Sequence, residues 1–272
     1  MRILICVDIE GVAGVVHTEQ TRPGHADYER ARQWMTAEAN AAVAGAFDGG
    51  ATEVQVADGH GNFRNLWADE LDPRATLVSG KPRLFGMLGS LEADFAGLML
   101  VGFHARAQAA GVLAHTINSA AFAGIWLNGI EVGEAGLYGA LAGERGVPVI
   151  FASGDDAFVA ETRPQFPHSV FVQTKQTLGR IAAISLSPAA ACTAIRAGAH
   201  AAMSVIDTAQ PLRLDTPVHI HVRTQTTAHA DLFTQWPALE RADDVTVTFS
   251  AASVEHAVRM INCLSAMAQA LR

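Results

Sequence analysis

Short apolar, β-branched runs alternate with alanine-rich segments along most of this chain, and that alternation leaves few architectures open. Residues 3–7, 53–57, 98–103 (LMLVGF) and 149–152 (VIFA) read as strands. Residues 28–47 read as a helix ended by Gly49-Gly50. Strands separated by helices with glycine-rich junctions predict an α/β fold, a mostly parallel sheet flanked by helices. Residues 124–132 (GIWLNGIEV) break the pattern: two short runs flank Asn128-Gly129, a pair favoured in two-residue hairpin turns, and a helix over 134–144 follows. In the last third, Ser187 and Pro188 have the types preferred at the N-cap and first position of a helix running to about residue 200. Strands are expected at 218–223 and 245–250, and a final helix at 253–271. We expect an α/β metal-binding catalytic part over 1–190 and a smaller α+β part over 191–272, with the boundary inside 185–215.

Composition narrows the function. The chain has 272 residues with 27 Asp plus Glu against 19 Lys plus Arg, a net charge of −8, which argues against nucleic acid as a partner. Hydrophobic residues are 50% and charged residues 17%, so a disordered acidic tail is excluded, and the low charge fits a surface partly buried between subunits. The apolar run at 3–7 is too short for a secretory signal and is followed at once by Asp8 and Glu10; no stretch approaches a membrane span. The expectation is a cytoplasmic protein with no membrane partner. Cys6, Cys192 and Cys263 form no CxxC pair, so neither a disulfide framework nor a thiolate zinc site is expected.

The chemical signal is positional. Three apolar runs lead straight into metal-ligand types: the first into Asp8-Ile9-Glu10, the second into Asp58-Gly59-His60, the third into His104. In open α/β sheets ligands sit beyond the carboxyl ends of the strands. Asp8 and Glu10 are two apart and share a face. Glu134, at the start of a helix, and His115 are within reach of the same crevice. Oxygen and imidazole donors without thiolate suit catalytic Zn²⁺, and several carboxylates allow a bridged pair of metals; Mn²⁺ and Co²⁺ fit the same donors. Each element has a plainer reading: a capping carboxylate, an Asp-Gly turn, a hydrogen-bonded core histidine.

Other features are weaker. The glycines at 11 and 14 lack nucleotide-loop spacing, and no G-x-S-x-G elbow occurs. His219 and His221 alternate on one strand face without an acidic neighbour. Asp155-Asp156 follows the fourth strand and rivals the other acids for the crevice, with a structural role preferred. Lys175, in a polar stretch, reads as a surface lysine or an anion holder.

An ordered set of motifs resembles the zinc-dependent D-aminopeptidases of the DppA family. These are VDIEGVAGV at 7–15, YERARQWMTAEAN at 28–40, TEVQVADGHG at 52–61, GFHARA at 102–107, GVLAHT at 111–116 and LNGIEVGEAGL at 127–137. SGDD at 153–156, KQT at 175–177 and LSP at 186–188 continue the series, so the resemblance is dense to about residue 190 and weak beyond. It implies an α/β fold, two Zn²⁺ per subunit and a homo-oligomeric ring, a homodecamer. It implies hydrolysis of short peptides with N-terminal D-amino acids such as D-Ala peptides. The implied metal ligands are Asp8, Glu10, His60, His104 and Glu134, and the implied catalytic residue is His115. Gly59 departs from the family's DSH form, where Ser is expected.

The mechanism expected has Asp8 bridging the metals, Glu10 and His60 completing one site, and His104 and Glu134 the other. His115 moves protons, steadies the oxyanion or attacks as a nucleophile, and the first role suits an imidazole near neutral pH. Glu10, Asp155 or a metal holds the substrate's α-ammonium. A metal-dependent phosphoesterase, with Arg106 and Lys175 on the phosphate, is the alternative enzyme; a non-catalytic small-molecule binding protein is the alternative outside enzymes.

Overall fold

The first strand, β1 (Arg2–Val7), sorts its side chains by parity. Ile3, Ile5 and Val7 join one buried cluster with Met35, Val43 and Ile195. Leu4 and Cys6 join the other, with Leu137, Val222 and Ile261. Both faces of β1 are therefore covered, as a near-continuous apolar strand in a parallel sheet requires. The computed structural model describes residues 1–92 and 94–271.

The remaining elements of the large sheet are β2 (Glu53–Asp58), β3 (Ala75–Val78), β4 (Phe95–Phe103), β7 (Val149–Asp155), β8 (Val170–Gly179) and β9 (Ala182–Ser185). They run in the order β3-β2-β1-β4-β7-β8-β9, parallel except for the last pair. Helices α1 (Ala26–Asp48) and α4 (Pro188–Ala202) pack on one face. Ser187 caps α4, its hydroxyl accepting from the Ala190 amide, with Pro188 at the first turn as expected. A second, antiparallel sheet joins β5 (Phe122–Leu127) and β6 (Ile130–Glu131) to β10 (Val218–Thr224), β11 (Glu240–Arg241) and β12 (Thr246–Ala251), in the order β11-β12-β10-β5-β6. Its strands come from two separate stretches of sequence. Asn128 and Gly129, both with positive φ, make the β5–β6 turn.

Helix α2 (Glu134–Glu144) lies between the large sheet and α6 (Val254–Met267) of the second layer. Residues 134–143 are all buried, so α2 is apolar all round rather than amphipathic. Its first residue is Glu134, delivered to the carboxyl edge of the sheet. Two short helices, α3 (Asp156–Thr162) and α5 (Thr227–Phe233), complete the fold. The helix expected over 253–271 is regular to Met267 and tightens into a 3₁₀ turn over Ala268–Leu271.

Candidate metal centre

Strands β1, β2 and β4 are neighbours in the sheet, so the residues just past their carboxyl ends lie together. Backbone bonds stitch these ends: the Asp8 amide donates to Val101 O (2.8 Å), Gly11 to Gly102 O (2.7 Å) and Gly59 to Val7 O (2.8 Å). Gly11 is required there, because a Cβ at that position would lie 1.9 Å from the Phe103 carbonyl oxygen. A side chain at position 59 would meet Cys6, Met87 and the Val7 carbonyl, each at 3.0 Å, so glycine fits this packing where the serine of the DSH form would need neighbours to shift.

All six expected residues converge at this edge. His60 Nδ1 lies 3.2 Å from Asp8 Oδ1 and 3.0 Å from Glu10 Oε2. His104 Nε2 lies 3.4 Å from Asp8 Oδ2 and 3.6 Å from Glu134 Oε1. His115 stacks on His104, ring centroids 4.2 Å apart and planes 9° apart, with Nε2 3.8 Å from Glu134 Oε1. Asp8, Glu10, His104 and Glu134 are buried, and His60 and His115 are partly open.

Each imidazole is fixed through one ring nitrogen by a backbone carbonyl. Carbonyl oxygens accept, so the ring nitrogen facing one must carry the proton. His60 Nε2 donates to Thr21 O (2.8 Å), His104 Nδ1 to Ala105 O (2.9 Å) and His115 Nδ1 to Leu113 O (2.9 Å). In the neutral ring this leaves a lone pair on the nitrogen facing the carboxylates, the arrangement that orients metal-binding histidines. Two buried atoms, Glu10 Oε2 and His104 Nε2, have no aligned hydrogen-bond partner among the described residues, although Glu10 Oε2 is close to His60. Buried polar atoms without partners are costly, and a cation between them supplies what they lack. The close groupings His104–His115–Glu134 and Asp8–Glu10–His104 fit a metal ion by donor type and spacing. His115 thus stands within ligand distance as well as beside the ligand set.

Electrostatics agree with the geometry. Burial pushes Asp8 up, but the neighbouring His104 and His60 outweigh it and hold the carboxyl well below its usual range. Burial disfavours a charged His104, yet Glu134 and Asp8 overcome this and raise its pKa to about 10. His60 is likewise raised, by Glu10 and Asp8 against burial. The carboxylates favour positive charge at this edge, whether a proton on an imidazole or a cation in its place.

Four residues named from sequence have other duties. The Asp58 carboxylate accepts from the Asn65 amide (2.5 Å), Asn65 Nδ2 (2.7 Å) and the Leu66 amide (2.8 Å), bracing the loop after His60. Asp155 caps α3 by accepting from the Phe158 amide (2.7 Å) and holds the His115 loop through the Val112 amide (2.7 Å). Arg106 pairs with Glu131 at 3.0 Å. Lys175 is neither on the surface nor an anion holder: it is buried in β8, and Nζ donates to the carbonyls of Glu10 (2.5 Å), Val12 (3.0 Å) and Val15 (2.5 Å). Burial lowers its pKa to about 8. Arg106 and Lys175 are therefore committed away from a phosphate, so the two cations named for the phosphoesterase reading do not serve it.

Sequence reading missed Glu38. From α1 this buried carboxylate accepts from the Ala13 amide (2.8 Å), so Lys175 and Glu38 grip the Glu10 loop from opposite groups of the backbone. The signal was a glutamate in the apolar register of a helix, at 38 in YERARQWMTAEAN. Two cavities of about 710 and 690 Å³ open on the centre; His60, His115 and Lys81 line both.

Comparison with known proteins gives one consistent picture. A family model described as D-aminopeptidase matches residues 1–263. A D-aminopeptidase of Bacillus subtilis (strain 168) is 38% identical over 194 residues, which is 70% of this chain and 69% of that protein. A solved structure described as the Zn-dependent D-aminopeptidase DppA from Bacillus subtilis, a self-compartmentalizing protease, superposes with a TM-score of 0.96 at 31% identity, covering 99% of this chain and 98% of that one.

Proposed function

We infer the function from membership: this chain belongs to the D-aminopeptidase family. We propose that it is a zinc aminopeptidase with two Zn²⁺ per subunit, that it removes N-terminal D-residues such as D-alanine from short peptides, and that it works as a homo-oligomeric ring of ten copies. Asp8, Glu10, His60, His104 and Glu134 would hold the metals. The observation that carries this is the Asp8 carboxylate, one oxygen toward His60 and the other toward His104. That supports Asp8 as a residue both ions would share, with Glu10 and His60 as those that would complete one site and His104 and Glu134 the other. When bound, the ions supply Lewis acidity that polarises a peptide carbonyl and eases deprotonation of a water.

The chain's own groups do the rest. His115 is the catalytic residue: with Nδ1 tied to Leu113 O, its free Nε2 takes a proton and returns it to the departing amine. Glu134 Oε1 faces that nitrogen at 3.8 Å. Asp155 is engaged by two amides, so the substrate's α-ammonium falls to the Glu10 side of the crevice. Lys175 and Glu38 keep Glu10 in place without touching substrate.

A library of peptides paired in stereochemistry at the first residue, assayed with chelator and with added Zn²⁺, tests the proposal. D-alanyl peptides should be cleaved in preference to L-alanyl ones, with activity lost to the chelator and restored by zinc. Equal or opposite stereochemical preference, or full activity in chelator, would overturn it.

A further inference from the structure

The larger cavity is acid-poor in an acidic protein. Its wall carries three cations, Arg22, Lys81 and Arg180, while Glu10 is the only carboxylate among the lining residues and already faces His60. None of the three cations makes an ion pair among the described residues, whereas Arg2, Arg32, Arg74, Arg145, Arg196 and Arg241 each do. Each is tied to the backbone that anchors a site histidine. Arg22 follows Thr21, whose carbonyl accepts from His60. Lys81 Nζ donates to Gly61 O, the residue after His60, at 2.9 Å. Arg180 Nη1 donates to Ala114 O, the residue before His115, at 2.7 Å, and Arg180 O accepts from the Leu113 amide. One carbonyl on Lys81 and one on Arg180 fix each head group and leave further N–H donors for a ligand.

We propose that Arg22, Lys81 and Arg180 form a subsite for the C-terminal carboxylate of the substrate, so that the enzyme acts on peptides short enough to bring a free carboxyl terminus beside the metal centre. This rests on the aminopeptidase reading and adds to it. A residue extends at most about 3.3–3.6 Å, so the carboxylate of a dipeptide or tripeptide lies one or two residue lengths from the scissile carbonyl, within a cavity that also contains Glu10, His60 and His115. Arginine and lysine are the donors suited to a carboxylate, and exposed cations on the wall of a cleft, two of them already held by a backbone carbonyl, bind it through charge-assisted hydrogen bonds. A longer chain or an amide terminus would present these donors with no charge.

The test compares D-alanyl-D-alanine with its C-terminal amide and with the α-amide of D-alanyl-D-glutamate, whose only carboxylate is on the side chain. In the zinc-loaded enzyme the free acid should exceed both amides by roughly tenfold to a hundredfold in kcat/KM, mainly through KM. In Lys81→Gln/Arg22→Gln and in Arg180→Gln that ratio should collapse toward one. Equal rates for acid and amide, a preference that survives all the substitutions, or full recovery by the side-chain carboxylate would overturn the subsite. Calorimetric titration of the three ligands into the zinc-loaded His115→Ala chain reads the same preference where nothing turns over. Binding that favours the acid while the wild-type chain cleaves none of the three would support the subsite and defeat the peptidase reading, which keeps the two failures apart.

Discussion

Two imidazoles, the buried His104 and the half-buried His60, each with one nitrogen donating to a backbone carbonyl and the other facing carboxylates, define the centre residue by residue. His104→Ala should lower zinc per chain and hydrolysis together, checked by elemental analysis beside an activity assay. His115→Ala should lower kcat by about 10² or more while zinc content stays at the wild-type level; loss of zinc in that variant would make His115 a ligand instead. Lys175→Met should weaken zinc binding by about tenfold or more, measured by chelator competition, with Lys175→Arg restoring part of it. Asp8, Glu10, His60 and His104 were legible in the sequence because each stands at or just past the end of an apolar run, a local pattern, whereas Glu134 and His115 were named more firmly by the family resemblance than by their spacing. The task of Lys175 was not, because it depends on β8 meeting a loop 160 residues earlier, and in sequence it sits among polar neighbours.

Among the elements, the centre depends on the close approach of the β1 and β4 ends and on the grip of α1 on the loop that follows β1. Gly11→Ala places a Cβ against the Phe103 carbonyl, a backbone atom that cannot swing away. It should cost about 2–4 kcal/mol, read as a lower thermal midpoint. Glu38 gives a pH signature: burial raises its pKa to about 7 in the folded chain, against about 4.3 unfolded. The fold therefore holds that proton more tightly. The stability it contributes is complete below about pH 4.3 and is lost as pH rises through about 7, on the order of 3 kcal/mol in all. Glu38→Gln should gain midpoint temperature over the wild type progressively from pH 4.5 to 7.5; a constant difference would contradict this. The strands and helices with strong local patterns, β1, β2, β4 and α2, were legible with boundaries close to those observed. The β8–β9 pair was not, because β8 mixes exposed and buried polar residues instead of alternating cleanly.

At the scale of the molecule, two sheets share one buried cluster across α2, so the second layer is part of what holds Glu134 at the edge of the first. The sequence showed the mostly parallel sheet but not that β5 and β6 leave it to pair with β10, since hairpin signals say nothing of which sheet receives them. Leu178, Ile181, Ile184 and Leu186 are exposed on and beside the β8–β9 hairpin, apolar surface of the kind an assembly covers. Sedimentation velocity should give a mass near ten copies of the 28.7 kDa chain, and a monomer at assay concentrations would contradict the proposed ring. The most direct check on the metal centre is elemental analysis of protein purified without chelator, paired with hydrolysis of D-alanyl-D-alanine before and after metal removal. The account predicts about two zinc ions per chain and loss of hydrolysis when they are stripped; undiminished hydrolysis by a metal-free chain would contradict it.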